Sequence, residues 1–249
     1  MKDIGILGFG EAGSAFARQL TSEGACVSAY DKKFEQSGFQ PPAGSDPGLE
    51  PVRFASLSDL LKSSDIILST ITTDAALAVA RNCISSLRPE QYYCDLNSTA
   101  PSVKIELDST ITPTGAFFVE GAILGAIGVT GGWTQILLGG SHAQNASELL
   151  NGFGLQTAPY SVEIGKASAF KLLRSYSSAK VHLTTLISHC GLQQEFSNDW
   201  RERSHDGRCR ICCAELCIVV AAGCNPNCRH LERKTIFVLL VFMLVQLNL

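Results

Sequence analysis

Short apolar runs alternate with helix-spaced stretches over roughly the first 160 positions, a pattern that predicts a mostly parallel α/β sheet. IGIL (Ile4 to Leu7) is continuously apolar, as a strand covered on both faces requires. EAGSAFARQLTSEG follows with helical spacing and stops at Gly24. CVSAY supplies a second strand ending at Asp31, and a loop rich in Gly and Pro runs from Ser37 to Pro51. VRFA, DIILSTI and YYCDLN read as three more strands, separated by helices over SLSDLLKSS and TDAALAVARNCISSL. Ser56 and Asp59 have the spacing of a capping box at the first of these helices. FFVEGAI, TQILLGG and LQTAPY complete the strands, with a helix over AQNASELLNGF between the last two.

From about Glu163 the pattern changes. IGKASAFKLLRSYSSAKVHLTTLISHCGL has apolar residues at mixed three and four spacings and no internal Pro, which predicts one long helix. The expected division is a doubly wound α/β domain over 1–162, a linking helix over 163–196, and an irregular Cys-rich and apolar tail over 197–249.

Composition narrows the picture. Hydrophobic residues at 45% and charged residues at 17% describe a globular chain. A formal net charge of −3 offers no basic field to nucleic acid, so none is expected as a partner. The first apolar stretch is short and runs straight into a Gly-rich turn, unlike a secretory signal, so cytoplasm is the expected compartment. Cys26, Cys83 and Cys94 sit beside apolar neighbours and read as small buried hydrophobes. The other seven of ten cysteines lie between Cys190 and Cys228.

The first candidate chemistry lies in GFGEAGSAFA. Gly8, Gly10 and Gly13 form G-x-G-x-x-G between the first strand and the first helix, with an acid, Asp31, closing the second strand. In this context Gly8 permits the tight turn, Gly10 admits a pyrophosphate close to the backbone, and Gly13 lets helix and strand pack. The backbone of Phe9, Glu11 and Ala12 belongs to the same loop and helix N-terminus, whose unpaired N–H groups attract an anion. Asp31 is placed for the adenosine ribose hydroxyls. It favours NAD, because a carboxylate repels a 2′-phosphate, while Lys32 and Lys33 leave NADP open. The domain is thus expected to be Rossmann-type.

GFGEAGSAFA, DLNSTAPS and GKASAFKLLRS, in that order, resemble the β-hydroxyacid dehydrogenases, a family that includes 3-hydroxyisobutyrate dehydrogenase and the NAD-binding part of 6-phosphogluconate dehydrogenase. The resemblance spans about residues 3 to 180 and implies several site residues. Asn97, in DLNSTAP, would lie by the nicotinamide ribose. VEGAILGAIG would be the loop that meets a substrate carboxylate; Gly125 is kept there, but Leu124 stands where the family has Ser. Glu120 keeps an acid in place, serving either the site or the fold alone. Lys171 resembles the family's lysine on the long helix and is the candidate general acid/base, with Lys166 as the fallback. Such a lysine needs burial or neighbouring positive charge to lower its pKa. Arg174, one turn on, lies on the same helix face, where it would depress that pKa or bind a substrate carboxylate. Arg174 and Ser175 replace the family's pair of Asn residues, which points to a subgroup with different substrates.

After Ser178 the resemblance to the family's all-helical closing domain stops, and the family-type homodimer is doubtful without that domain. Three readings of the tail compete. Cys209, Cys212, Cys224, Cys228 and His230 offer ligands for zinc, at unusual spacing. TIFVLLVFMLVQLNL after RHLERK has the flank of a membrane anchor but is shorter than the ~20 residues a span needs. The favoured reading is an alternative splice or shifted frame joined to an intact first domain. The expected function is an NAD(P)-dependent oxidoreductase acting on a small β-hydroxyacid. The rival is a nucleotide-binding protein without turnover.

Overall fold

The computed structural model describes residues 2–36 and 46–176. The chain divides into two units, Met1–Leu173 and Arg174–Leu249. The first unit therefore runs past 162 and takes the start of the long helix with it. Most of the Ser37–Pro51 loop, the helix beyond 176 and all three readings of the tail lie outside the described residues.

Eight strands form one sheet in the order β3-β2-β1-β4-β5-β6-β7-β8. They are β1 Asp3–Leu7, β2 Cys26–Tyr30, β3 Arg53–Phe54, β4 Ile66–Ser69, β5 Tyr92–Asp95, β6 Phe117–Ile123, β7 Ile136–Gly139 and β8 Thr157–Ser161. All neighbours are parallel except the β6–β7 pair. Helices α1 Glu11–Ser22, α2 Leu57–Ser63, α3 Ala76–Cys83, α4 Pro101–Ile111, α5 Ile127–Thr130 and α6 Ala143–Asn151 connect them, and a last helix, α7, is described over 166–176.

The continuous apolar strands are apolar because both faces are covered. Ile4, Ile6, Ile66 and Leu68 join Phe16 and Leu20 of α1 on one side, while Leu7 and Ile67 meet Leu60, Leu107 and Ile111 on the other. Each such fully buried side chain is worth roughly 1.5–3 kcal/mol against exposure.

Several elements differ from their expected form. VRFA shrinks to two paired residues, because β3 is the sheet edge and bonds only to β2. The stretch from Thr73 to Ser86 forms α3 flanked by 3-10 turns at Thr73–Ala75 and Ile84–Ser86. Helix α4, not assigned to any span by periodicity, starts with Pro101 in its first turn, where a missing N–H costs nothing. Ser56 Oγ accepts from Asp59 N at 3.2 Å, the expected cap of α2. Cys83 and Cys94 are buried, but Cys26 is exposed: it opens β2 ahead of the covered part of the sheet.

Candidate active site

The sheet order reverses between β1 and β4, the point at which open α/β sheets bind ligands beyond the carboxyl ends of their strands. The glycine turn stands at this point. Gly8 has φ +94°, and a side chain there would lie 2.7 Å from Thr70 O and Ile71 Cγ2. Its N–H donates to Tyr30 O (2.8 Å), and its carbonyl accepts from Thr70 Oγ1 (2.7 Å), so the ends of β1, β2 and β4 are tied through one residue. A Cβ on Gly13 would overlap the Gly8 carbonyl, whereas one on Gly10 would meet nothing within 4 Å. Gly10 thus borders open space. It precedes α1 with no side-chain cap, and the first helical bond runs from Ser14 N to Gly10 O, leaving the N–H groups of Glu11, Ala12 and Gly13 ahead of the ladder.

Phe9 is placed differently from its neighbours. Its ring is buried against Phe34 and Phe54 at centroid distances of 5.9 and 5.3 Å. Its N–H donates to Asp31 Oδ2 (2.7 Å), and its carbonyl accepts from Lys33 Nζ. Phe9 locks the loop from behind. Asp31 also accepts from Lys33 N at 3.0 Å, and Lys33 Nζ lies 3.7 Å from its carboxylate. An ionised carboxylate offers about four lone-pair sites, so capacity remains for ribose hydroxyls.

A second cluster lies where β4 and β5 end. Lys104, fully buried on α4, donates to Asp95 Oδ2 (2.5 Å) and Asp95 O (2.7 Å). Asp95 Oδ1 accepts from Asn97 Nδ2 at 2.5 Å, and Ser69 Oγ accepts from the same nitrogen at 3.1 Å. Because a paired carboxylate only accepts, the Asn97 amide must turn its nitrogen inward and its oxygen away. Asn97 Oδ1 and Thr99 Oγ1 are buried with no protein partner, a costly state that a bound polar group relieves.

Lys171 reaches this loop from α7. Its Nζ donates to Ser98 Oγ at 2.5 Å, across 73 residues of sequence. Burial, and then the positive charge of Lys104, hold the ammonium below its ordinary 10.5. The charge of Lys104 was not anticipated in the sequence. Arg174 falls in the second unit. Lys166 pairs with Glu163 at 3.3 Å, with both side chains mostly exposed. Gly125 follows β6 in an exposed turn where a Cβ would lie 2.9 Å from Thr134 Cγ2, and Leu124 packs with Ala122, Leu137 and Ala167.

Three contributors were missed in the sequence: Lys104, Ser98 and the contacts of Glu120. Lys104 did leave a trace, since it shares the i, i+3, i+7 buried stripe of α4 with Leu107 and Ile111.

The open edge at Gly10, the uncapped amides of α1 and the unpartnered Asn97 oxygen suit a dinucleotide laid across these strand ends. Sheet and turn define a Rossmann-type dinucleotide-binding protein. The chain belongs to the family of the NAD binding domain of 6-phosphogluconate dehydrogenase, whose model matches residues 3–158. The family takes its name from an oxidoreductase.

An uncharacterized 28.5 kDa protein of the 7S RNA 5′ region of Methanothermus fervidus is 28% identical over 175 residues, covering 69% of this chain and 63% of that protein. The chain therefore spans less than two thirds of the length of that relative. A solved conserved protein, described as structurally similar to 3-hydroxyacid dehydrogenases, is 23% identical with TM-score 0.64, covering 98% of this chain and 97% of its own. The 3-hydroxyisobutyrate dehydrogenase of Mycobacterium tuberculosis, solved with L-serine, is 16% identical with TM-score 0.65, covering 79% of this chain and 66% of its own. Both structural likenesses are likenesses of fold. Among the described residues no helix is long and apolar enough to cross a membrane.

Proposed function

We propose that this chain transfers hydride between a nicotinamide dinucleotide and a small β-hydroxyacid, with Lys171 as general acid/base. The observation that carries the reading is the Lys171 ammonium, half-buried, lowered in pKa and bonded to Ser98 beside the polar cluster that ends β5. Gly8, Gly10 and Gly13, with the amides of Glu11 and Ala12, hold the pyrophosphate; Phe9 shapes the loop from behind. Asp31 takes the adenosine ribose, which favours NAD, and Lys33 spends its ammonium on the loop carbonyl. Asn97 offers its oxygen at the nicotinamide end. When bound, the cofactor supplies a hydride acceptor or donor. Lys171, neutral in a larger fraction than an exposed lysine, takes the hydroxyl proton as the carbonyl forms and returns it in the reverse direction. Gly125 is assigned to the substrate carboxylate.

Leu124 favours a restricted second reading. At a position where the resembling family has Ser, this chain has a partly buried apolar side chain, so the substrate differs from 3-hydroxyisobutyrate or turnover is absent.

Two variants test the proposal. Gly10→Ala, whose new methyl enters open space, should fold with an unchanged melting temperature yet lose most of the thermal stabilisation by NADH. Lys171→Met should keep NADH binding and lower kcat on any accepted hydroxyacid by about 10²–10⁴. A Lys171→Met protein with parental kcat would remove Lys171 from the chemistry.

A further inference from the structure

We infer that Glu120 is the positioning residue for Lys171: its carboxyl group seats the start of α7, and so sets where the Lys171 side chain meets Ser98. This rests on the reading of Lys171 as the proton carrier. Glu120 is fully buried at the middle of β6, in register with Asp95 of β5 and Gly139 of β7. Oε1 accepts from Gly165 N at 2.8 Å and Ala167 N at 2.9 Å, and Oε2 accepts from Ser168 Oγ at 2.8 Å. The donors are Gly165, the residue that caps α7, and Ala167 and Ser168 of its first turn, 45 to 48 residues away in sequence.

Backbone amides of a first helical turn have no partner within their own helix and must find one elsewhere. A carboxyl group suits them doubly, as acceptor and as negative charge at the positive end of the helix. Here the acceptor comes from the central sheet rather than from the preceding residue. The helix is thereby registered to β6 and not merely capped. Lys171 follows Ser168 by three residues, less than one turn, so its direction is fixed by the same contacts. β7 makes the room: a Cβ on Gly139 would lie 2.5 Å from Glu120 Oε1. Asp95 and Glu120 thus hold opposite halves of one site. Asp95, with Lys104, fixes the Asn97–Ser98 loop, Glu120 fixes the helix that brings Lys171, and the Lys171–Ser98 bond closes across them.

The test is competitive acetylation of the full-length chain over a pH series, with labelling at Lys171 read by mass spectrometry and Lys166 reporting reagent access. In Glu120→Ala the titration of Lys171 should move upward toward 10.5, because the ammonium is no longer held in its half-buried place. Glu120→Gln, whose amide oxygen still accepts from both backbone N–H groups, should keep the parental titration. Gly139→Ala, which crowds the carboxyl group without touching Lys171, should shift it as Glu120→Ala does. An unmoved Lys171 in folded Glu120→Ala overturns the inference. If that variant does not fold, an unmoved Lys171 in Gly139→Ala overturns it instead. NADH binding, measured alongside, should stay at the parental level in all three. Absence of NADH binding in the parent would count against the functional reading alone, since the labelling reports only where Lys171 sits.

Discussion

At the scale of single residues, Lys171 makes a stability prediction that is independent of any substrate. An ammonium disfavoured in the folded state means that the folded chain binds fewer protons than the unfolded one between the lowered pKa and 10.5. Stability therefore rises with pH through that window, and the cost of holding Lys171 charged is largest below it. Lys171→Met should raise the melting temperature at neutral pH, and the gain should shrink as pH climbs toward 10.5. Melting curves at a series of pH values check this. A constant difference between variant and parent across the series would mean that Lys171 is no more confined than a surface lysine.

At the scale of elements, the Asp95–Lys104 pair joins the end of β5 to α4 with no exposed surface on the lysine. Removing one partner strands the other charge in the interior, at a cost of about 3–5 kcal/mol. Lys104→Met and Asp95→Asn should each lose that much in urea unfolding, while the double variant should recover a large part of it. Equal losses in the double and single variants would show that the pair acts through packing and not through charge. The same pair marks the boundary of what the sequence discloses. The glycine turn was legible because its demands are local: a positive φ at Gly8 and a missing Cβ at Gly13 are written in three residues beside a strand. The position of Asp31 was legible for the same reason, as the acid that follows β2. Lys104 and Glu120 were not, since their partners come from other strands and helices, and a lone Lys in a helix ordinarily faces water. Cys26 was misread as buried because apolar neighbours in sequence do not reveal where along a strand the cover begins. Ser98 was quoted in its motif, yet only the fold brings it to Lys171.

At the scale of the whole molecule, every residue assigned to the dinucleotide lies in the unit that ends at Leu173, and so does Lys171. Binding and turnover should therefore separate. A chain of residues 1–176 should unfold in one cooperative transition and bind NADH within roughly threefold of the full chain, a difference under 1 kcal/mol. Hydride transfer asks for more, because a proton carrier is effective only where water is kept out during reaction. If the full chain oxidises a β-hydroxyacid and the shortened one binds NADH without turnover, turnover requires residues beyond 176. If both bind and neither turns over any hydroxyacid, the chain is a dinucleotide-binding protein, and the apolar Leu124 is where its substrate site departs. Failure of the shortened chain to bind NADH, with the full chain binding, would show instead that the first unit does not hold its binding site alone.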